Sequence, residues 1–343
     1  MNKIFEIFES NNYSIKLVGG CVRDLFMKNT PKDFDFATNA LPNQVIELAN
    51  KNNIHVIPTG LQHGTVTWVI DNIPYEITTL RVDNDCDGRH ANVSFTEDWQ
   101  VDAERRDFTF NAMSMDKDGN IFDYFNGCED LKNGVIRFVG DTDKRIKEDY
   151  LRILRAFRFA ARYNFKIIDK EIIAANVSVL KKISKERIRS EFLKIFSSNS
   201  WFSIAKEMND CGIFEIFDLN FKENNTLSKG ALFRMSCVFS EKDIPKKFKA
   251  SVDENKEYNF FVNLDKNWET PHAIRVFRSR GISDNWLLNA VVNNHEIFDE
   301  TIFEFPLNGE MLISRGMKPG IEMGNFLKNA RKEWEDSFFS KSF

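Results

Sequence analysis

Two aspartates separated by a single residue, in Asp33-Phe34-Asp35, carry the most pointed chemistry in this chain. On a strand, positions i and i+2 face the same side, and two carboxylates placed so leave a gap that hard divalent cations bridge through oxygen. Two Mg2+ ions held this way can clamp the α-phosphate of a nucleotide, activate an incoming hydroxyl and neutralise a departing pyrophosphate. Just upstream, Leu17-Val18-Gly19-Gly20-Cys21-Val22-Arg23-Asp24 reads as a strand, a paired-glycine turn and a helix. Backbone approaches a ligand closely at Gly19 and Gly20, free N–H groups at the helix start attract phosphate, and Arg23 adds a charged fork. Alone, Gly-Gly is usually a turn and Asp-x-Asp an exposed strand end. Together at this spacing they point to phosphate chemistry.

A second constellation lies in a helical pattern further on, where Asp149 and Arg152 stand three apart and share one helix face. A carboxylate accepts and a guanidinium donates. Cytosine offers its N4 amino group beside the N3 acceptor, and adenine offers N6 beside N1, so one Asp–Arg pair matches both. Uracil and guanine present the reverse order and would leave buried polar groups mismatched at about 1–3 kcal/mol each. Arg155 and Arg158 continue the stripe and, with Arg106, are placed to hold triphosphate oxygens. The ordinary reading of an arginine stripe is a set of surface salt bridges, and the neighbouring Asp149 argues against it.

These groups need elements to position them. The first 137 residues alternate strand patterns (Ile15–Val18, Phe34–Thr38, Ile54–Ile57, Thr65–Ile70, Ile73–Thr79, Ala112–Asp116) with helical ones (Ile4–Ser10, Val22–Met27, Pro42–Lys51, Asp98–Arg105). After Gly140 amphipathic helical spacing such as Ile153, Phe157, Ala160 takes over. The expected class is α+β: a head with a mixed sheet and flanking helices over 1–137, a helical segment over 138–200 carrying the base-reading motif, and a helical remainder over 201–343. The net charge is −4, which by itself disfavours a nucleic-acid partner, yet residues 137–194 hold 16 Lys and Arg against 8 Asp and Glu while the rest holds 31 against 43. Positive charge is concentrated in the helical segment. No apolar run approaches the roughly 18 residues that span a bilayer. Five widely spaced cysteines with no C-x-x-C pair, and an N-terminus without signal-peptide character, lead to the expectation of a reducing, cytoplasmic setting and no membrane partner.

The string from Leu17 through Lys32-Asp33-Phe34-Asp35-Phe36-Ala37-Thr38 resembles the signature of the class II tRNA nucleotidyltransferase and bacterial poly(A) polymerase superfamily. The resemblance extends over residues 15–195. It continues through Gly60-Leu61-Gln62-His63-Gly64-Thr65-Val66-Thr67, then Arg105-Arg106-Asp107-Phe108-Thr109-Phe110-Asn111-Ala112-Met113, then Glu148-Asp149-Tyr150-Leu151-Arg152. Arg81 and Asp83, with Asp87-Gly88-Arg89-His90, resemble the flexible loop of CCA-adding enzymes of the alphaproteobacterial and mitochondrial type. The loop is shortened in CC-adding relatives, so its completeness favours addition of both cytidines and the adenosine. Departures occur at Asn126-Gly127-Cys128, where the family has Gly-Gly, and at Tyr150, where proline is common.

The resemblance implies a polymerase β-like head followed by helical neck, body and tail. It also implies template-independent addition of C, C and A to tRNA 3′ ends from CTP and ATP, with two Mg2+ ions on Asp33 and Asp35 and with Asp149 and Arg152 as a protein template. Gly20, Arg23, Arg106, Arg155 and Arg158 would complete the nucleotide site. Poly(A) addition, partial CC or A addition, and a silent RNA-binding protein on the same scaffold are the alternatives; intact Asp33 and Asp35 speak against the last.

Overall fold

The structure is a computed structural model that describes residues 2–84, 92–225, 230–239, 241–264, 271–282 and 303–343. The chain forms two compact units, Met1–Leu219 and Asn220–Phe343.

The first unit is built on seven strands: β1 (Ile15–Val18), β2 (Asp35–Thr38), β3 (His55–Gly60), β4 (Thr65–Ile70), β5 (Ile73–Thr79), β8 (Ser114–Met115) and β9 (Ile121–Phe122). Their order is β3-β4-β5-β2-β1-β8-β9, and only the β2–β5 pair is parallel, so the sheet is mixed as expected. A separate hairpin pairs β6 (Arg81–Asn84) with β7 (Asn92–Phe95). β4 and β5 meet through Asp71-Asn72, both at left-handed φ (52° and 62°), a conformation that Asp and Asn tolerate and that matches the twist of a two-residue hairpin.

Alternation along the strands places Val66, Trp68, Tyr75, Ile77 and Phe36 in the core. Helix α1 (Asn2–Ser10) turns its Ile4, Phe5, Ile7 and Phe8 inward, where Phe8 lies 5.2 Å from Trp68 and Phe5 packs edge-on to Phe36 at 5.5 Å. Burying each such ring is worth about 1.5–3 kcal/mol. A smaller cluster, Val18, Ala37 and Leu80, is covered by Trp99, the first residue of α4 (Trp99–Glu104). Helices α2 (Gly20–Phe26) and α3 (Pro42–Lys51) complete the head, and α5 (Gly127–Lys132) and α6 (Thr142–Glu148) lead out of it.

A second aromatic core joins the head to the helical segment. Phe108, Phe110 and Phe138 gather around Phe159 of α7 (Arg152–Tyr163), with ring centroids 5.0–5.5 Å apart along Phe138–Phe108–Phe159–Phe110. The pattern change at 137–140 therefore falls inside one packed unit, in which a short parallel pair, β10 (Val135–Ile136) with β11 (Lys166–Ile167), also bridges the junction. Helices α8 (Lys170–Asn176), α9 (Lys185–Phe196) and α10 (Trp201–Asp210) finish it. The second unit contains, among its described residues, helices Ala231–Val238, Ile244–Lys247, Val252–Val262, Pro271–Ser279, Gly309–Ser314 and Ile321–Asp336. There Phe233 meets Phe261 edge-on at 5.2 Å, and the Tyr258 hydroxyl donates to the Phe239 and Glu241 carbonyls.

Candidate active site

A cleft of about 1050 Å3 opens on the first unit and takes in both constellations, Asp33 and Asp35 on the sheet side and Asp149 and Arg152 on the helical side. Among the described residues ten Lys and Arg line it against six Asp and Glu, an excess that attracts anions despite the chain's net negative charge.

Asp35 opens β2, but Asp33 sits in the bend just before it, outside the strand and exposed. The expectation that both stand on one strand face is corrected: pairing with β1 and β5 begins only at residue 35–36. The two carboxylates still act on one another. Burial pushes the Asp35 carboxyl up to about 6, helped by Glu76 and by Asp33, while the Arg106 guanidinium opposes the shift. Glu76 is the residue directly beside Asp35 on the parallel strand β5. Sequence reasoning missed it, because only the β2–β5 register brings it there. Carboxylates crowded until one resists ionisation are a donor set suited to a hard divalent cation. Among the described residues no three such side chains form a ready-made cage.

Gly19 has φ +71°, and a Cβ there would come 3.0 Å from Arg106 Nη1. Glycine lets the turn and the guanidinium share this space. Gly20, the first residue of α2, meets only ordinary contact distances at that position. Arg23 is almost fully buried: its Nη1 donates to Asn111 Oδ1 at 2.7 Å, its Nε and Nη2 donate to Asp24, and it lies over the rings of Phe159 and Tyr163. Arg106 pairs with Asp102 at 3.0 Å, and Arg105 takes the other Asp102 oxygen at 2.8 Å. Burial works against the charge of Asp102, yet these two arginines keep its carboxyl below the usual range.

Arg155 and Arg158 face the cleft with internal partners. Arg155 donates twice to Asp107, through Nε at 2.8 Å and Nη2 at 2.5 Å. Asp107 is buried, which opposes its ionisation, but Arg155 and the Asn111 amide hold its carboxyl below the usual range. Arg158 pairs with the buried Glu191 at 3.3 Å and lies over Phe159 at 4.6 Å. Arg23, Arg155 and Arg158 thus surround one aromatic ring.

The largest correction concerns the presumed shared helix of Asp149 and Arg152. Asp149 ends α6 in an extended conformation (φ −144°, ψ 106°), and Arg152 begins α7. Their proximity comes from a break between helices, not from helical spacing. Asp149 Oδ1 accepts the Leu151 N–H at 3.1 Å, and Arg187 reaches the same carboxylate from α9. Arg152 is fastened by Glu148 at 2.9 Å and by the carbonyls of Arg145 and Arg105.

The expected flexible loop is described only at its rims. Arg81 and Asp83 lie in β6, paired with one another at 3.1 Å, and Arg81 also donates to the His63 carbonyl. Asp87, Gly88, Arg89 and His90 lie outside the described residues. Both Arg81 and Asp83 line the cleft, as do Lys32, Arg105, Arg162 and Lys194, which sequence reasoning did not single out.

A mixed-sheet head bearing an acidic pair and a Gly-Gly turn, facing an arginine-rich helical wall, defines a nucleotidyltransferase. Residues 15–137 match the Poly A polymerase head domain family, and residues 169–220 match the family described as the probable RNA and SrmB- binding site of polymerase A. The human mitochondrial CCA tRNA nucleotidyltransferase 1 is 35% identical, the match covering 98% of this chain and 86% of that protein. A CCA-adding enzyme of Lactobacillus delbrueckii subsp. bulgaricus is 42% identical over 95% of this chain and 91% of its own. The Bacillus stearothermophilus CCA-adding enzyme, solved in complex with CTP, has the same fold, with a TM-score of 0.77 over 98% of this chain and 92% of that one at 23% identity. The chain belongs to the CCA-adding tRNA nucleotidyltransferase family.

Proposed function

We propose that this protein extends tRNA 3′ ends with C, C and A, taking the nucleotides from CTP and ATP and releasing pyrophosphate. The observation that carries the reading is the convergence, in one cleft, of the Asp33–Asp35 pair with the Asp149–Arg152 pair across a wall of arginines. Relatives of both mitochondrial and bacterial origin bear the same activity in their names.

Asp33 and Asp35 would hold Mg2+, which when bound supplies charge neutralisation at the α-phosphate and activation of the tRNA 3′-hydroxyl. That oxygen bonds to the α-phosphorus as the bond to the β-phosphate oxygen breaks. Arg23, Arg106, Arg155 and Arg158 orient the triphosphate; because their own partners already fix them, little ordering remains when substrate enters. Asp149 accepts the amino group of cytosine or adenine and Arg152 donates to the adjacent ring nitrogen. The same two groups serve both bases, and the resemblance to the flexible loop of CCA-adding enzymes implies that the segment between β6 and β7 governs the switch from C to A. A cytoplasmic setting rests on the cysteines: Cys21, Cys128, Cys211 and Cys237 are all free thiols.

The decisive experiment offers CTP and ATP together to a tRNA transcript ending at the discriminator base, and sequences the product. Addition of CCA is expected. A poly(A) tail, a CC or A product alone, or no incorporation would each overturn the reading, in favour of a poly(A) polymerase, a partial adder or a silent RNA-binding protein respectively.

A further inference from the structure

We infer that Arg187 sets the accuracy of base selection by fixing the Asp149 carboxylate, an inference that rests on Asp149 reading the base. The need for such a residue follows from the break between α6 and α7. Had Asp149 stood within a helix, neighbouring turns would restrict its side chain; in its extended link (φ −144°, ψ 106°) they do not. Two groups hold it instead. The Leu151 N–H donates to Oδ1 at 3.1 Å, and Arg187 Nη2 straddles the carboxylate at 3.3 Å from Oδ1 and 3.4 Å from Oδ2.

Arg187 is well placed for this. It sits in the first turn of α9, a helix anchored by the buried Ile188, Phe192 and Ile195. One turn further along the same helix, Glu191 pairs with Arg158 on α7. α9 therefore braces the base-reading link and the phosphate-facing wall together. Lys182, just before α9, lies 5.3 Å from the ring of Tyr150 and adds a second tie to the link.

A carboxylate offers about four lone-pair directions. Leu151 and Arg187 engage three, leaving one on Oδ2 for the amino group of the base. With Asp149 held still, the ring N–H of uracil, which lies beside the position of the cytosine amino group, finds no acceptor. Released from Arg187, the carboxylate can swing to meet that N–H. Arg187 is thus a positioning residue, acting on specificity through Asp149 without touching the reacting atoms.

The test uses the full-length chain in Mg2+, with wild type, Arg187→Met, Arg187→Lys and Asp149→Ala, in single-turnover reactions with each of the four nucleotides on a tRNA ending at the discriminator base. Arg187→Met should lower the C-over-U ratio about tenfold, as expected for one lost orienting contact, chiefly by weakening CTP and admitting UTP. Arg187→Lys, which keeps the charge and loses the fork, should recover part of the ratio; if the Met variant folds poorly, a ratio between those of wild type and Asp149→Ala in the Lys variant supports the inference. Equal loss for all four nucleotides, or an unchanged ratio in the Arg187 variants while Asp149→Ala loses discrimination, overturns the role of Arg187 alone. An unchanged ratio in Asp149→Ala overturns the base-reading assignment, and this inference with it.

Discussion

At the residue scale the cleft works by pairing its arginines with carboxylates before substrate arrives. Asp35 differs: burial and two nearby carboxylates raise its carboxyl, an environment suited to a metal-binding carboxylate. Asp33→Ala or Asp35→Ala should therefore abolish incorporation of both CTP and ATP, by at least about three orders of magnitude, while tRNA binding measured by filter retention survives. Near wild-type turnover in either variant would remove the metal site from these residues. Asp107 has the opposite character, buried and ionised against Arg155. Asp107→Asn should cost about 3 kcal/mol by stranding that guanidinium. With its carboxyl held below the usual range, the contribution of Asp107 is complete above about pH 3.9, the ordinary aspartate value, and fades as pH falls further. Urea unfolding of wild type and variant should show a constant stability gap from pH 8 to pH 5 that narrows toward pH 3.

At the element scale, the site depends on close approaches that glycine or asparagine permits. α5 begins at Gly127, where an added Cβ would lie 2.3 Å from the Thr109 carbonyl oxygen. Residues 109–111 include Asn111, which bonds both Arg23 and Asp107. Gly127→Ala should push α5 off this turn, costing about 2–4 kcal/mol in thermal unfolding and lowering nucleotide incorporation as Arg23 shifts. The preceding Asn126 has φ +60°, so one of the positions where the family carries Gly-Gly keeps the backbone that glycine would supply. Asn126→Gly should accordingly stay within about 1 kcal/mol of wild type. A destabilisation as large as that of Gly127→Ala would mean that the Asn126 side chain itself holds the turn.

At the scale of the whole molecule, positive charge is segregated within a chain of net charge −4: the 137–194 stretch carries an excess of Lys and Arg, and under the proposed function the tRNA backbone would lie against it. Raising salt from 50 to 200 mM should weaken tRNA binding about 10–100-fold, in proportion to the phosphates neutralised; an affinity indifferent to salt would contradict this. The chemistry was legible in the sequence because it depends on residue type and local spacing: Asp33-Phe34-Asp35, the Gly19-Gly20 turn and the charge of α7 are short-range features, and period-2 and helical patterns located most of the head. Other features needed the tertiary fold. Glu76 joins Asp35 only through the parallel β2–β5 register, which pairs residues about forty positions apart. Asp149 and Arg152 looked like neighbours on one helix, since nothing in Glu148-Asp149-Tyr150-Leu151-Arg152 marks the break at its middle; packing of α7 against Phe108 and Phe110 places the two on opposite sides of that break. Nor could spacing reveal that Arg155 answers Asp107 and that Arg187 answers Asp149. Side-chain type determines what each group can bind, whereas long-range packing decides which partner it meets, because contacts between distant segments form only once the core that joins them has closed.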